Sequence, residues 1–600
     1  MSTFANPVLS GCHPDPSVCR VGADYYLVTS TFEYWPGLPI FHSRDLVNWT
    51  PIGHAIDRPD QVDLSTVPSS GGLFAATIRH HDGLFFVTCT LVHGQGRRGN
   101  FVLTASDPAG PWSDPFWLDE APGIDPSVFF DDDGRAWLTG TRLAEPGLWP
   151  GQTDVWLREL RIERDPVAIT VVGEEHLVWR GALQGAVWAE GPHLYRVDGR
   201  YYLLAAEGGT EYDHAVSVAV ADAVTGPYVG NPANPVLTHR HLGRSFPVTG
   251  VGHADLVEHT DGSWWAVVLG SRPVGASGAQ PLGRETFLVP VEWQGGWPVF
   301  APGVGHIAAR FEAPSVARPA VAEPGAARLS TRRISPALPA PWTFVRTTSE
   351  SRAVFSSGPD AFDLIPRPVT LADVGAPTFV ARRQQHHRAA FEATFTCWFD
   401  ADTVAGLAVR QSESEWIALS IGPVAGPGPV HRENPVERAD DAGGFVHAGP
   451  DAGAVDLTLA LTLTLPLTLT ECRGGVEHIL AQRSIRVPAS VEGPDPAVTV
   501  FVETCDGGYS FGARASEARL PASPSSESAV HFADVDGTFL TSPFAGGFLG
   551  LWLGVFAFSR PAPARGAPTD PHGVVPVPPG AVPSSRPAVV HVSNVHYEPR

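Results

Sequence analysis

The chain has 600 residues, of which 43% are apolar and 17% charged. That length exceeds what one hydrophobic core sustains, so two or three domains are expected, and the composition is that of a folded globular protein. A formal net charge of −22 at pH 7 argues against a polyanionic partner such as nucleic acid.

The N-terminus, MSTFANPVLSGCHPDP, shows no basic region followed by an apolar run, so no signal peptide is expected and a cytoplasmic location is the simplest reading. No stretch of about 18 apolar residues occurs, so no membrane helix is expected. Five segments then share one pattern, a turn followed by aromatics and an apolar run: GADYYLVTS (22–30), DGLFFVTCT (82–90), DGRAWLTGT (133–141), DGRYYLLAA (198–206) and DGSWWAVVL (261–269). Asp-Gly supplies the positive φ of a tight hairpin, so each segment reads as a turn feeding a strand. Their spacing suits one four-stranded sheet each, which is the size of a propeller blade. A five-bladed β-propeller over residues 1–311 is expected.

The strand before each turn carries the chemistry. Counting back eleven residues from Phe85, Ala136, Tyr201 and Trp264 lands on Phe74, Asp125, Glu190 and His253, and ten back from Tyr25 lands on Asp15. These positions are read as equivalent, and innermost strands of a propeller converge on its axis. Taken singly, an Asp before Pro, as in HPDPS (13–17) or IDPSV (124–128), is an ordinary turn residue. Polar residues that differ between blades at one repeat position point instead to a shared cavity.

Two carboxyl groups flanking a sugar C–O bond are the minimum for glycoside hydrolysis. Glu190, set among apolar neighbours in AVWAEGPHLY, is expected to be held protonated as the acid. Asp15, between two prolines, is expected to be the base, and Asp125 the charge that raises the pKa of Glu190. Segment 33–49 is explained as well by blade packing as by binding. His253 reads either as a metal ligand acting through water or as a satisfied buried histidine. Arg284, in PLGRETFLVP, is able to fork onto sugar hydroxyls or a carboxylate. The run DDDG at 131–134 reads as a solvated turn, because a Ca²⁺ loop needs spaced ligands. The six cysteines have no metal-ligand or disulfide spacing.

Taken together, NPVLSGCHPDPSVCRVGADYYLVTSTFEYWPGLPIFHSRDLVNW, GIDPSVFFDDDG, WAEGPHLY, GVGHADLV and LGRETF resemble glycoside hydrolase family 43, nearest to its β-xylosidases with a C-terminal β-sandwich. The resemblance implies an inverting, exo-acting enzyme with Asp15 as base, Asp125 as modulator and Glu190 as acid. It implies substrate contacts from Phe32, Phe74, His253 and Arg284. No cofactor is implied as a requirement, and Ca²⁺ near His253 in the propeller channel is the one metal it suggests. Where the family shows Trp and Pro, this chain has Phe74 and Ala76, which reshapes the wall of the sugar site. β-Xylosidase and α-L-arabinofuranosidase activities both occur among similar members.

Residues 312–340, rich in Pro, Ala and Arg, read as a linker. Beyond them, 389–399, 405–411 and 416–422 read as strands of a concanavalin-like β-sandwich over 341–600. The alternating Leu and Thr of 456–470 read as a strand by period, and aggregation-prone if exposed. Residues 425–454 and 561–588 read as loops. Phe548, in DGTFLTSPFAGGFLGLWLGVFAF (536–558), matches the residue that relatives send toward the active-site mouth; the alternative is a sandwich-core Phe. The whole is therefore expected to be all-β, acting on short xylo-oligosaccharides, with neither nucleic acid nor membrane as partner and with a homo-oligomer allowed. The alternatives are an α-L-arabinofuranosidase, a silent carbohydrate-binding propeller, and a retaining fructan-active propeller enzyme.

Overall fold

A computed structural model describes residues 2–314, 340–348, 350–355, 358–396, 402–422, 461–489, 495–516, 529–560 and 589–600. Most of the expected linker and both expected loop regions, 425–454 and 561–588, lie outside the described residues, as does Cys397. No described helix is long and apolar enough to cross a membrane.

The first half is a five-bladed β-propeller. Its antiparallel blades are built on innermost strands Ser17–Val21, Thr77–His81, Ile124–Phe130, Glu190–Val197 and Thr249–Glu258. These five strands pack on one another in ring order, the last against the first. The N-terminal strand Thr3–Ala5 pairs with Arg310–Glu312 beyond the fifth blade, and Leu9 bridges Thr286, so the two ends of the propeller chain are tied together. Between blades, alternate faces bury Tyr25, Phe86, Phe101, Trp156 and Phe287 almost completely.

Turn chemistry follows the residues. Asp82–Gly83 and Asp198–Gly199 all have positive φ, as a two-residue hairpin turn requires. Blades three and five instead close with longer loops, Phe130 pairing with Ala136 and Glu258 with Trp264. Asp131 is not part of a merely solvated turn: it is 5% exposed and accepts a hydrogen bond from the Tyr201 hydroxyl at 2.7 Å.

These loop lengths correct the expected register. Ser127, His193 and Asp255 pair with Thr139, Leu204 and Val267, and each innermost strand carries one extra residue just before that pair. The bulge residues Asp125, Gly191 and His253, and Asp15 at the equivalent place ahead of Ser17, all have φ between 47° and 57°. Glu190 and Phe74 stand one place earlier. A fixed count from the aromatic position therefore slips by one wherever the turn has only two residues. The slip leaves the cavity shared, because a bulge re-aims neighbouring side chains toward the axis.

The second half is a sandwich of two antiparallel sheets. Arg388–Thr396, Thr403–Arg410 and Trp416–Ile421 are strands, matching the expected segments over their described parts. Of the expected Leu/Thr run, 456–460 lie outside the described residues; the rest lies in Leu461–Arg473, where Leu465, Leu467 and Leu469 are buried, one edge is paired along the strand and the other over 467–472. One strand of this domain is unexpected. Tyr34–Trp35 of the propeller adds to the sandwich sheet by pairing with Phe344 and Val345, which welds the two domains. Beside it, Glu33 and Arg410, both fully buried, lie 3.9 Å apart, and Arg346 and Arg410 both reach Glu413.

Candidate active site

The bulges bring the expected acids to the mouth of the axis. Asp15 is 5% exposed and held from two sides: Arg284 Nη1 donates to its Oδ1 at 2.8 Å, and the Ser30 hydroxyl to its Oδ2 at 2.7 Å. Burial acts to raise the Asp15 carboxyl, but the Arg284 guanidinium, His253 and Ser30 outweigh it and hold it below the ordinary aspartate value. Asp15 is thus an ionised acceptor.

Asp125 Oδ2 accepts the backbone N–H of Gly191 at 3.0 Å, which sets its carboxyl beside Glu190. Burial, against the opposing pull of His253 and reinforced by Asp15, pushes its pKa up to about 6. Among the described residues no hydrogen bond reaches the Glu190 carboxyl. Burial first, then the charges of Asp125 and Asp15, drive it well above the ordinary glutamate value. Of this coupled pair, Glu190 carries the proton, because Asp125 has a backbone donor stabilising its anion and Glu190 has none. Gly191 is a required glycine: its φ is 55°, and a Cβ there would stand 2.7 Å from the His253 ring.

Arg284 joins the acids to an aromatic box. Its guanidinium lies 5.6 Å from the rings of both Phe32 and Phe548, and Nη1 also reaches Thr210 Oγ1 at 2.9 Å. Phe32 meets Phe74 and Phe548 at ring separations of 5.5 and 5.9 Å. The structure therefore places Phe548 at the mouth rather than deep in the sandwich core. The Phe548 N–H donates to Ser70 Oγ at 2.9 Å, so a propeller loop holds the sandwich loop over the site. A cleft of about 320 Å³ opens beside Arg284, Thr210 and Phe548. Ala76 is 2% exposed and belongs to the buried apolar core with Leu73 and Ile78, whereas Phe74 meets the rings of Phe32 and Phe548.

Below the acids lies a network that sequence reasoning missed. Asp255 accepts from Arg79 Nη1 at 2.8 Å, from Arg79 Nη2 at 3.1 Å, from Ser17 at 2.6 Å and from Tyr195 at 2.5 Å. Arg79 Nη2 lies 3.2 Å from His193 Nδ1, which in turn meets Ser127 at 2.9 Å. The innermost strands of blades one, four and five thus meet the Arg79 guanidinium of blade two, and that of blade three joins through His193. The signal was available: Ser17, Thr77, Ser127, His193 and Asp255 share a register position two residues beyond the bulge.

This floor does not suit Ca²⁺. A hard dication takes six to eight oxygen ligands. The oxygens of Asp255 are already taken by a guanidinium, two hydroxyls and the Val18 N–H. The imidazoles of His193 and His214 beside His253 are kept neutral by burial, and the Asp15 and Asp125 carboxyls that act on His253 are held by Arg284, Ser30 and the Gly191 N–H. Among the described residues no three His, Cys, Asp or Glu side chains are grouped to hold a metal ion.

An ionised carboxylate and a protonated one, in one cavity walled by aromatic rings and an arginine, are equipped to activate water and to protonate a leaving oxygen. Residues 4–298 match the model "Glycosyl hydrolases family 43", and 334–440 match "Beta xylosidase C-terminal Concanavalin A-like domain". The chain is 42% identical over 434 residues to a "Xylosidase/arabinosidase" of Butyrivibrio fibrisolvens, covering 69% of this chain and 79% of that one. It is 39% identical to a "Non-reducing end alpha-L-arabinofuranosidase" of Bacteroides ovatus, covering 70% and 76%. The solved xylan beta-1,4-xylosidase of Bacillus halodurans superposes with a TM-score of 0.76 at 26% identity, over 99% of this chain and 100% of that one. With one family model matched over the propeller, a second over part of the sandwich and a relative 42% identical covered over 79% of its length, the chain belongs to glycosyl hydrolases family 43.

Proposed function

We propose that this glycoside hydrolase is an inverting, exo-acting β-1,4-xylosidase that releases xylose from the non-reducing ends of short xylo-oligosaccharides. The observation that carries the reading is the opposite treatment of two carboxyls in one cavity: Arg284 keeps Asp15 ionised, while burial and neighbouring charge keep Glu190 protonated. Asp15 takes a proton from a water molecule as its oxygen attacks the anomeric carbon. Glu190 gives its proton to the glycosidic oxygen as that bond breaks. Asp125 keeps the Glu190 proton in place until then. Phe32, Phe74 and Phe548 wall the sugar, and Arg284 is placed to reach its hydroxyls as well as Asp15. The Phe548 loop laid over the mouth supports action at chain ends, since it narrows the site to a pocket.

A second reading, α-L-arabinofuranosidase, is favoured by the Bacteroides ovatus relative. Initial rates on xylobiose and on an aryl α-L-arabinofuranoside, with NMR of the first-formed sugar, test both. The expected result is faster turnover of xylobiose with α-xylose appearing first. β-Xylose as the first product would mean retention, and Asp15 would then be a nucleophile.

A further inference from the structure

The loop that leads into Glu190 carries a large aromatic side chain that packing does not explain. Trp188, two residues ahead of Glu190, is 42% exposed and adopts φ 53°, a left-handed conformation that is costly for a bulky residue. The surroundings enforce it. The Trp188 N–H donates to the Gly151 carbonyl at 2.8 Å, and the Gly208 N–H donates to the Val187 carbonyl at 2.9 Å. The Ala189 carbonyl accepts from the hydroxyls of Thr141 and Thr153 at 2.7 and 2.9 Å. Four hydrogen bonds therefore pin the backbone on both sides of Trp188, two of them on the Ala189 carbonyl that leads into Glu190.

Two glycines flank the ring. A Cβ at Gly151 or at Gly209 would stand 3.2 Å from its atoms, so the loops of blades three and four hold the indole closely without covering it. Thr210, next after Gly209, touches Arg284 at 2.9 Å and lines the cleft, which sets the indole at the rim of the same site. Leu148 and Leu183, on the loops that approach this rim, are 79% and 65% exposed. Strain kept in place to present an uncovered ring beside an acid calls for a ligand. The apolar faces of sugars stack on aromatic rings, and Glu190 has to stand on the side from which the leaving sugar departs.

We propose that Trp188 is the platform on which the leaving-group sugar stacks, making it the residue that favours oligosaccharide over small leaving groups. This rests on the role assigned above to Glu190. The test compares xylobiose, whose leaving group is a sugar, with β-D-xylosyl fluoride, whose leaving group is not. In Trp188→Ala the ratio of kcat/KM on xylobiose to that on the fluoride should fall about ten-fold, mostly through KM, as expected for the loss of one aromatic stacking contact. Trp188→Phe should restore most of the ratio, and Trp188→Leu, which keeps apolar bulk without a stacking face, should not. An unchanged ratio in Trp188→Ala, with or without an equal loss on both substrates, would overturn the proposal; equal loss with altered self-association would mean that the rim is a protein contact. If the wild-type chain prefers arabinofuranosides, an arabinofuranosyl xylobiose and α-L-arabinofuranosyl fluoride give the same ratio, separating an error in the sugar from an error here. A chain inactive on both pairs removes the functional reading and this proposal with it.

Discussion

Asp125→Asn removes one negative charge from beside Glu190 while keeping an oxygen to accept the Gly191 N–H. Asp125 Oδ2 lies 3.0 Å from Gly191 N, and Gly191 adjoins Glu190, so Asp125 is the foremost charge acting on the Glu190 carboxyl. At an effective dielectric of about 20, a unit charge about 6 Å away is worth about 3 kcal/mol, or about two pKa units. The sign follows from the role. Glu190 works protonated, so activity is present below its pKa and is lost as pH rises through it. Removing the neighbouring charge lowers that pKa, and the basic limb of kcat/KM should move to lower pH by about one to two units. Burial and Asp15 remain, so the shift should stop short of the free glutamate value. The assay is the pH profile of kcat/KM on xylobiose, which reports the free enzyme and whose alkoxide leaving group needs the acid. A basic limb that stays put, or an acidic limb that moves instead, would refute the assignment of Asp125 as modulator and Glu190 as acid.

Further outcomes follow from other contacts. Arg284→Gln removes the cation that holds Asp15 down; Asp15 works ionised and loses activity as pH falls through its pKa, so the acidic limb should move to higher pH in the same profile. Glu190→Ala should cost xylobiose hydrolysis about 10²–10⁴-fold and nitrophenyl xyloside far less, since nitrophenolate leaves without a proton; parallel losses in kcat/KM would be contrary. Arg410→Met takes one of two arginines from the buried Glu33 carboxylate at the domain junction, and denaturant unfolding should show a loss of about 3 kcal/mol. Because Arg79 already occupies the channel floor, exhaustive chelation followed by Ca²⁺ addition should leave kcat/KM unchanged at each stage; a reproducible fall and recovery would show that the floor opens to a metal.

Much of this protein is written locally. Asp-Gly turns and aromatic-apolar runs depend only on near neighbours, so five hairpins and hence five blades were legible, as was the alternating Leu/Thr strand of the sandwich. The polar character of Asp15, Asp125, Glu190 and His253 at the heads of the innermost strands was legible for the same reason: repetition exposes what differs between copies. Register was not, because whether a turn holds two residues or five decides where the bulge falls, and both kinds begin with the same residue types. Nor were the contacts between distant segments. Arg284 meets Asp15 across 269 positions, Tyr34–Trp35 leaves its blade for the other domain's sheet, and Phe548 reaches Ser70 across 478. Arg79 and His193 together gather five strands onto one axis, and Trp188 shows as an uncovered ring only once two glycine-bearing loops close on it. The sequence by itself determined the blades and the acids that head them; tertiary structure decided which acid keeps its proton, because that depends on burial and on charges brought close only when the ring is shut.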